Sequence, residues 1–251
     1  MSGPAVEVVS EGRQPGVIPS LSVIVFAFDE EENVAAVLSE LGLWLDRHEP
    51  DAELVFVDDG SRDATALRAK EALAARAHVV LRHGANRGIG AALKTGVRHA
   101  RGDWITFLPA DGQIAPEAIG TLREAQRRRG VRAVFSVYRR RDDGLDRKLY
   151  SFGVRALIAG VHGVWLRSDG PYLVERALFD PDALPPDTFF LNFELPIRLL
   201  AEKVPSTVVT IECRPRRAGT SKSTQWHRIV GVAKDLADLR VRRWRERLRK
   251  R

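Results

Sequence analysis

Short apolar runs alternate along this chain with longer stretches in which apolar residues recur every three or four positions. The first kind of segment reads as a strand buried on both faces, the second as an amphipathic helix. Leu21 to Phe28, Leu54 to Val57, Val79 to Arg82 and Trp104 to Leu108 are the strand-like runs. Between them, Glu30 to His48 puts Val34, Val37, Leu38, Leu41 and Leu45 on one helical face, with acids expected in the first turn to complement the dipole. Asp63 to Arg76 is an alanine-rich helix that Asp63 can cap, and Gly88 to Ala100 is a helix with small residues near its start. This alternation predicts an α/β fold, a mostly parallel central sheet flanked by helices.

Three of the runs end on acids. Val57 leads into Asp58-Asp59-Gly60-Ser61, Phe28 into Asp29-Glu30-Glu31-Glu32-Asn33, and Leu108 into Pro109-Ala110-Asp111-Gly112-Gln113. The carboxyl edge of an open α/β sheet is where ligands bind, because the loops leaving the strands form a crevice there. Asp-Gly alone is also an ordinary turn. Three such ends converging on one site suit a metal and the polar edges of a nucleotide better than bare phosphate. Gly88 and Gly90 would let a diphosphate approach the backbone at a helix start. A dinucleotide site would place its glycines directly after the first strand, and the acids there argue against NAD.

On these motifs the sequence resembles glycosyltransferase family 2, with its GT-A nucleotide-sugar fold. Val25 to Asn33 looks like the family's opening strand and turn, and Val57 to Thr65 matches Val-Asp-Asp-Gly-Ser-x-Asp-x-Thr. Asn86-Arg87-Gly88, Ala91, Gly96 and Ala100-Arg101-Gly102-Asp103 are similar to the segment leading to the metal motif, and the likeness runs from about Leu21 to Lys222. The resemblance implies an inverting, metal-assisted transfer from a UDP- or GDP-sugar. It implies nucleotide contacts at Ala27, Phe28, Glu30, Asp58, Asp59, Lys94, Ala110, Asp111, Arg217 and Lys222. The family motif Asp-x-Asp is here Pro109-Ala110-Asp111, so Asp111 and Gln113 are left to hold Mg2+ or Mn2+ together with the donor phosphates. Loss of one carboxylate should weaken the ion when no nucleotide is bound. Arg217 and Lys222 would neutralise the leaving diphosphate.

The second half is expected to bind the acceptor. Arg139, Arg140, Arg141, Arg147 and Lys148 surround a short loop, and Ser151 follows Arg147 by one helical turn. This region resembles the polyprenyl-phosphate branch of the family, such as dolichyl-phosphate mannose synthases, which implies an acceptor phosphate on Arg139, Arg147 and Ser151. A solvated basic loop is the plainer alternative. Ser168 to Leu173 looks like the acceptor-side turn, Phe190 to Pro196 like an acidic helix start, and Arg214 to Lys222 like a segment that folds over the donor. A lipid phosphate is already an anion and needs no general base. A hydroxyl acceptor would need one, with Asp169 the first choice and Glu194 the second. Transfer to a polyprenyl phosphate is therefore the expected function. Transfer to a saccharide or other hydroxyl, or a catalytically weak nucleotide-sugar-binding module, are the alternatives.

Composition and charge refine this picture. The 251 residues, 44% of them hydrophobic, allow one sizeable domain at 20–225, with a nucleotide half at 20–115 and an acceptor half at 116–225. Residues 1–19 read as a flexible arm and 226–251 as a separate tail. A lone cysteine, Cys213, excludes an internal disulfide and is consistent with a reducing cytoplasm. The longest apolar stretch, Leu149 to Leu166, is interrupted by Arg155, glycines and His162 and falls short of a membrane span. The net charge of +7 resides in the tail, which has ten Lys or Arg against three Asp or Glu. There Trp226, Ile229, Val230, Ala233, Ala237, Val241, Trp244 and Leu248 recur at helical spacing. This basic amphipathic helix is expected to lie on anionic lipid, peripheral on the inner face of the cell membrane, or to pack on its own domain. Nothing in the sequence offers a nucleic-acid surface, and a homo-oligomer is compatible with it.

Overall fold

The computed structural model describes residues 6–13, 16–139, 145–184, 190–215 and 227–249, and gives backbone alone at 145–151, 227–234, 246, 247 and 249. Its centre is four parallel strands, β2 (Leu21–Ala27), β3 (Glu53–Asp58), β4 (His78–His83) and β5 (Trp104–Pro109); β1 is Val6–Glu11. Helices α1 (Val34–His48), α2 (Thr65–Leu73) and α3 (Ile89–His99) connect them. The second half adds α4 (Glu117–Arg129), β6 (Ala133–Tyr138), α5 (Leu145–His162), β7 (Leu173–Glu175), α6 (Leu191–Ala201), β8 (Ser206–Ile211) and α7 (His227–Arg249). The strand order is β1-β4-β3-β2-β5-β7-β6-β8, and only β1 and β7 run against the rest.

The two faces of the sheet follow from the two-residue period of a strand. Val23, Val25, Leu54 and Phe56 point to a layer holding Val34, Leu38, Leu41 and Leu45 of α1, Leu73 of α2 and Ile119 and Leu122 of α4. Ile24, Val55 and Val57 point the other way, onto Ala92, Leu93 and Val97 of α3 and Leu191, Leu195 and Leu199 of α6. Apolar residues on both faces are why these runs read as continuous rather than alternating. Going outward from β2, the chain first builds β3 and β4 on one side and then crosses to β5 on the other. The crevice between β2 and β5 is thus the topological switch point.

Two elements differ from the sequence reading, and a third, the tail, takes one of the two placements expected for it. The stretch expected to be a flexible arm contributes β1, antiparallel to β4, with a bulge between Val8 and Ser10. That extra residue breaks the alternation a pattern search relies on, and the strand covers what would otherwise be an open sheet edge. Helix α1 starts at Val34 and has no acid in its first turn, because Asp29 takes φ +51 and Glu30–Asn33 form a separate turn. The basic tail is docked: Leu236 and Leu239 of α7 are buried against Ile158 of α5, Leu166, Phe190 and Ile197 of α6. Among the described residues no helix is long and apolar enough to cross a membrane.

Candidate functional site

The carboxyl ends of β2, β3 and β5 are tied together by their own backbone. The Asp59 amide donates to the Ala27 carbonyl at 2.8 Å, and the Ala110 amide to the Phe26 carbonyl at 3.0 Å. The motifs 27–33, 58–65 and 109–113 therefore share one edge, as their sequence positions predict. The first two are also laced side chain to backbone. Asp29 N–H donates to Ser61 Oγ at 2.8 Å, Arg62 N–H to Asp29 Oδ1 at 2.9 Å and Glu30 N–H to Thr65 Oγ1 at 2.9 Å. Glu31 N–H reaches Asp63 Oδ2 at 3.2 Å, while Ala64 N–H reaches Glu31 Oε2 at 3.1 Å. Glu30 Oε2 accepts from Asn33 Nδ2 at 2.7 Å. Gly60 completes the turn at φ +75, where a Cβ would lie 2.4 Å from the backbone carbon of Ala85, so no side chain fits.

The two adjacent aspartates divide the work. Asp59 is buried, and its Oδ1 accepts from the Arg87 amide at 3.0 Å and from His83 Nδ1 at 2.7 Å. Its Oδ2 accepts from the Gly88 amide at 2.8 Å, and His83 Nε2 continues to Thr95 Oγ1 at 2.9 Å. Asp59 thus fixes the loop that opens α3. Asp58 is fully buried and accepts from the Ser61 amide at 3.1 Å through Oδ1. Its Oδ2 lies 3.2 Å from Arg82 Nε but has no aligned hydrogen-bond donor among the described residues. Burial pushes the Asp58 carboxyl above the ordinary range, against the opposing pull of the Ser61 bonds and Arg82. Arg82 also donates to the Ser61 carbonyl at 2.9 Å. Beside it opens a cavity of 690 Å³ walled by Phe28, Gly60, Ser61, Arg62, Arg82 and Asn86 together with Glu7 of β1.

Of the remaining donor-side residues, Ala27 and Ala110 are buried at the edge and Lys94 is buried on α3. Asp111 is buried and its Oδ1 accepts from the Gln113 amide at 3.0 Å, with Gly112 between them at φ +73. The Gln113 carbonyl accepts from the Arg214 amide at 2.7 Å, which brings the end of β8 to the motif. Arg214 is held by Glu40 at 2.6 Å and Glu117 at 3.4 Å. No cluster of three His, Cys, Asp or Glu suited to a metal ion occurs among the described residues. A single buried carboxylate at the switch point fits a divalent ion only if the ligand's phosphates supply most of its oxygens. Arg217, Ser221 and Lys222 lie outside the described residues, as do Arg140 and Arg141.

The acceptor-side residues fall into two groups. Arg139 follows β6 directly, donates its amide to the Ile211 carbonyl at 2.9 Å and stands 3.4 Å from Glu212, both side chains well exposed. Arg147 and Ser151 occupy successive turns of α5. Asp169 lies next to the end of β6, where its amide donates to the Ser136 carbonyl at 2.8 Å, and its carboxylate pairs with Arg155 at 2.6 Å. Glu194 stands apart from these. It is completely buried, and its two oxygens bind Arg198 at 2.9 Å and Arg242 of α7 at 2.5 Å. That places it as the anchor of the tail helix, because a buried carboxylate needs cationic partners. Sequence reasoning missed Arg82, His83 and Arg155. The first two end strand β4, and the rule that picked out the acids after β2, β3 and β5 applies equally to them.

The profile of Glycosyl transferase family 2 matches residues 22–189. The undecaprenyl-phosphate 4-deoxy-4-formamido-L-arabinose transferase of Aeromonas hydrophila is 30% identical over 170 residues, 64% of this chain and 52% of that protein. The dodecaprenyl-phosphate galacturonate synthase of Rhizobium johnstonii is 32% identical over 171 residues, 66% of this chain and 50% of that protein. The chain spans about half the length of the curated relatives it matches. Among solved structures, glucosyl-3-phosphoglycerate synthase from Mycobacterium tuberculosis, in complex with Mn2+, UDP and phosphoglyceric acid, superposes with a TM-score of 0.64. It is 19% identical and the match covers 88% of this chain and 77% of that one, a likeness of fold.

Proposed function

This chain belongs to glycosyltransferase family 2, and on that premise we propose that it transfers a sugar, with inversion, from a nucleotide-sugar to a polyprenyl phosphate. The observation that carries the donor half is the buried Oδ2 of Asp58, an acceptor at the ligand edge without an aligned donor. A base N–H would satisfy it, with Arg82 beside it to meet a ring carbonyl. Phe28 lines the cavity beside Arg82, and Ala27, Lys94 and the start of α3 are assigned to the donor by their place in the motifs. Asp59 acts here by fixing the 86–88 loop.

Asp111 and Gln113 would hold Mg2+ or Mn2+ together with the diphosphate. Such an ion would neutralise charge on the leaving group. The structural relative with bound Mn2+ and UDP supports this assignment by its shared fold. Arg217 and Lys222 are assigned the same neutralising task by their place in the motif.

Support for the acceptor comes from relatives named for undecaprenyl and dodecaprenyl phosphates and from the cations of α5. An acceptor phosphate oxygen would attack the anomeric carbon as the bond from that carbon to the donor phosphate breaks. The oxygen is already charged, so the protein has only to align it. The pairing of Asp169 with Arg155, and of Glu194 with Arg198 and Arg242, suits this reading better than a hydroxyl acceptor that needs a free base. Val241, Trp244 and Leu248 form an exposed stripe on α7 among arginines, which suits an anionic membrane surface.

A panel of radiolabelled UDP- and GDP-sugars, incubated with a polyprenyl phosphate and Mg2+ or Mn2+, tests this. Label should enter the organic phase with one donor and stop with a chelator. Donor binding by calorimetry without any transfer would instead make the domain a nucleotide-sugar-binding module.

A further inference from the structure

Two side-chain bridges join α5 to the loop that follows it. Arg155 donates from Nη2 to Asp169 Oδ2 at 2.6 Å, and Phe152 meets Trp165 edge-on with ring centroids 5.9 Å apart. Phe152 and Arg155 are three residues apart on the helix, so the two bridges lie side by side. The loop end of the ionic bridge is fixed. The amides of Asp169 and Gly170 both donate to the Ser136 carbonyl, at 2.8 and 3.2 Å, and the Ser136 hydroxyl donates to the Pro171 carbonyl at 2.6 Å. Arg155 also stands one turn beyond Ser151 and two beyond Arg147.

Neither bridge is explained by stability. The ion pair is partly exposed, at 31% and 40%, and such pairs contribute little to folding. The rings are 58% and 49% exposed, an aromatic pair left in water on a molecule whose other described aromatics, Trp244 apart, are largely packed. What the arrangement does provide is a guanidinium in a fixed orientation directly beside an apolar platform. Asp169 uses part of the donor fork of Arg155, and a guanidinium has five N–H groups to present to an anion. An amphiphile whose charge and first apolar atoms are adjacent matches that layout.

We propose that Arg155 and the Phe152–Trp165 pair form an acceptor cradle, with the phosphate on the guanidinium and the first isoprene units on the two rings. The inference rests on the reading of a lipid-phosphate acceptor and extends it to residues outside the Arg139, Arg147 and Ser151 set. Asp169 is then a positioning residue. It aims Arg155, and the chemistry requires no proton from it, because the attacking oxygen is already an anion.

Calorimetric titration of the full chain with geranyl phosphate, in buffer free of vesicles and detergent, reads the cradle directly and needs no turnover. Binding should weaken by about tenfold or more in Arg155→Ala and by about tenfold in the double variant Phe152→Ser/Trp165→Ser. Inorganic phosphate, titrated into the same proteins, should respond to Arg155→Ala and ignore the ring variant. Circular dichroism at wild-type strength certifies that both variants are folded. Unchanged geranyl phosphate affinity in either variant overturns the cradle, as does a ring variant that loses only sedimentation with anionic vesicles, since the rings would then face a bilayer. Asp169→Asn should raise the acceptor KM and leave the pH profile of kcat as it was; a collapse of kcat with loss of its acid limb would make Asp169 a base and also overturn it. Geranyl phosphate that binds through Arg155 and the rings yet receives no sugar would uphold the cradle and sink the transfer reading alone.

Discussion

The turn that opens α1 and the helix that ends the described chain are both held by acidic residues, in opposite ways. Around Asp29, Glu31, Asp63 and Asp59 the carboxylates accept backbone amides, and nearly every bond joins neighbouring motifs at one sheet edge. The tail helix is held by a fully buried carboxylate, Glu194, between Arg198 and Arg242, and by a neutral histidine. The first arrangement neutralises charge locally, mostly with backbone amides that cannot titrate and with His83 on Asp59, and yields a rigid ligand edge. The second is an ion network under a small apolar contact of Leu236 and Leu239, and it answers to pH and to the loss of any one member. The donor edge is preformed, whereas the tail is fastened.

Substitutions that strike one region and spare the other test this contrast. The largest effect is expected at the donor edge: Asp111→Ala should lower kcat by about 100-fold or more in the transfer assay, with the melting temperature nearly unchanged. Pro109→Asp restores a second carboxylate and should tighten Mn2+ binding without loss of rate. Glu194→Leu should cost on the order of 3 kcal/mol in denaturant unfolding, because Arg198 and Arg242 lose their buried partner. Unchanged stability there would mean the helix is held by its apolar contact alone.

Smaller shifts sharpen the comparison. Asp58→Asn keeps the shape of the buried carboxyl and should weaken nucleotide binding by about tenfold in calorimetry. His162 lies buried between the Leu236 carbonyl, 3.1 Å away, and Arg243, and burial with the nearby arginines pushes it down to about 4. A histidine held neutral by the fold stabilises it above the ordinary value near 6.5, and the contribution is lost as pH falls toward about 4. Thermal midpoints should therefore decline across that window, with His162→Gln flattening the slope.

Much of the donor half was legible in the sequence, for a physical reason. Strands buried on both faces leave unbroken apolar runs, so Asp58, Asp111 and the turn at Asp29 stand out at their ends. What the sequence did not reveal was the division of labour between Asp58 and Asp59, since only the fold brings Arg87, Gly88 and His83 onto one of them. Strand β1 was hidden by its bulge. In the tail, helical spacing found one stripe, of which Val241, Trp244 and Leu248 are exposed. Leu236 and Leu239, on the second stripe, are the ones that bury. Periodicity identifies a face, but not what covers it. The pairing of Arg155 with Asp169 joins positions 14 residues apart through a loop, and no local pattern encodes it.

Competition between acceptors tests the central claim most directly. A polyprenyl phosphate and the corresponding uncharged polyprenol, offered together at equal concentration with the active nucleotide-sugar and metal, ask whether charge on the acceptor is what the protein uses. The account predicts label on the phosphate alone, with inverted configuration at the anomeric carbon. Label on the alcohol at a comparable rate would contradict it, and would return Asp169 to the role of a general base.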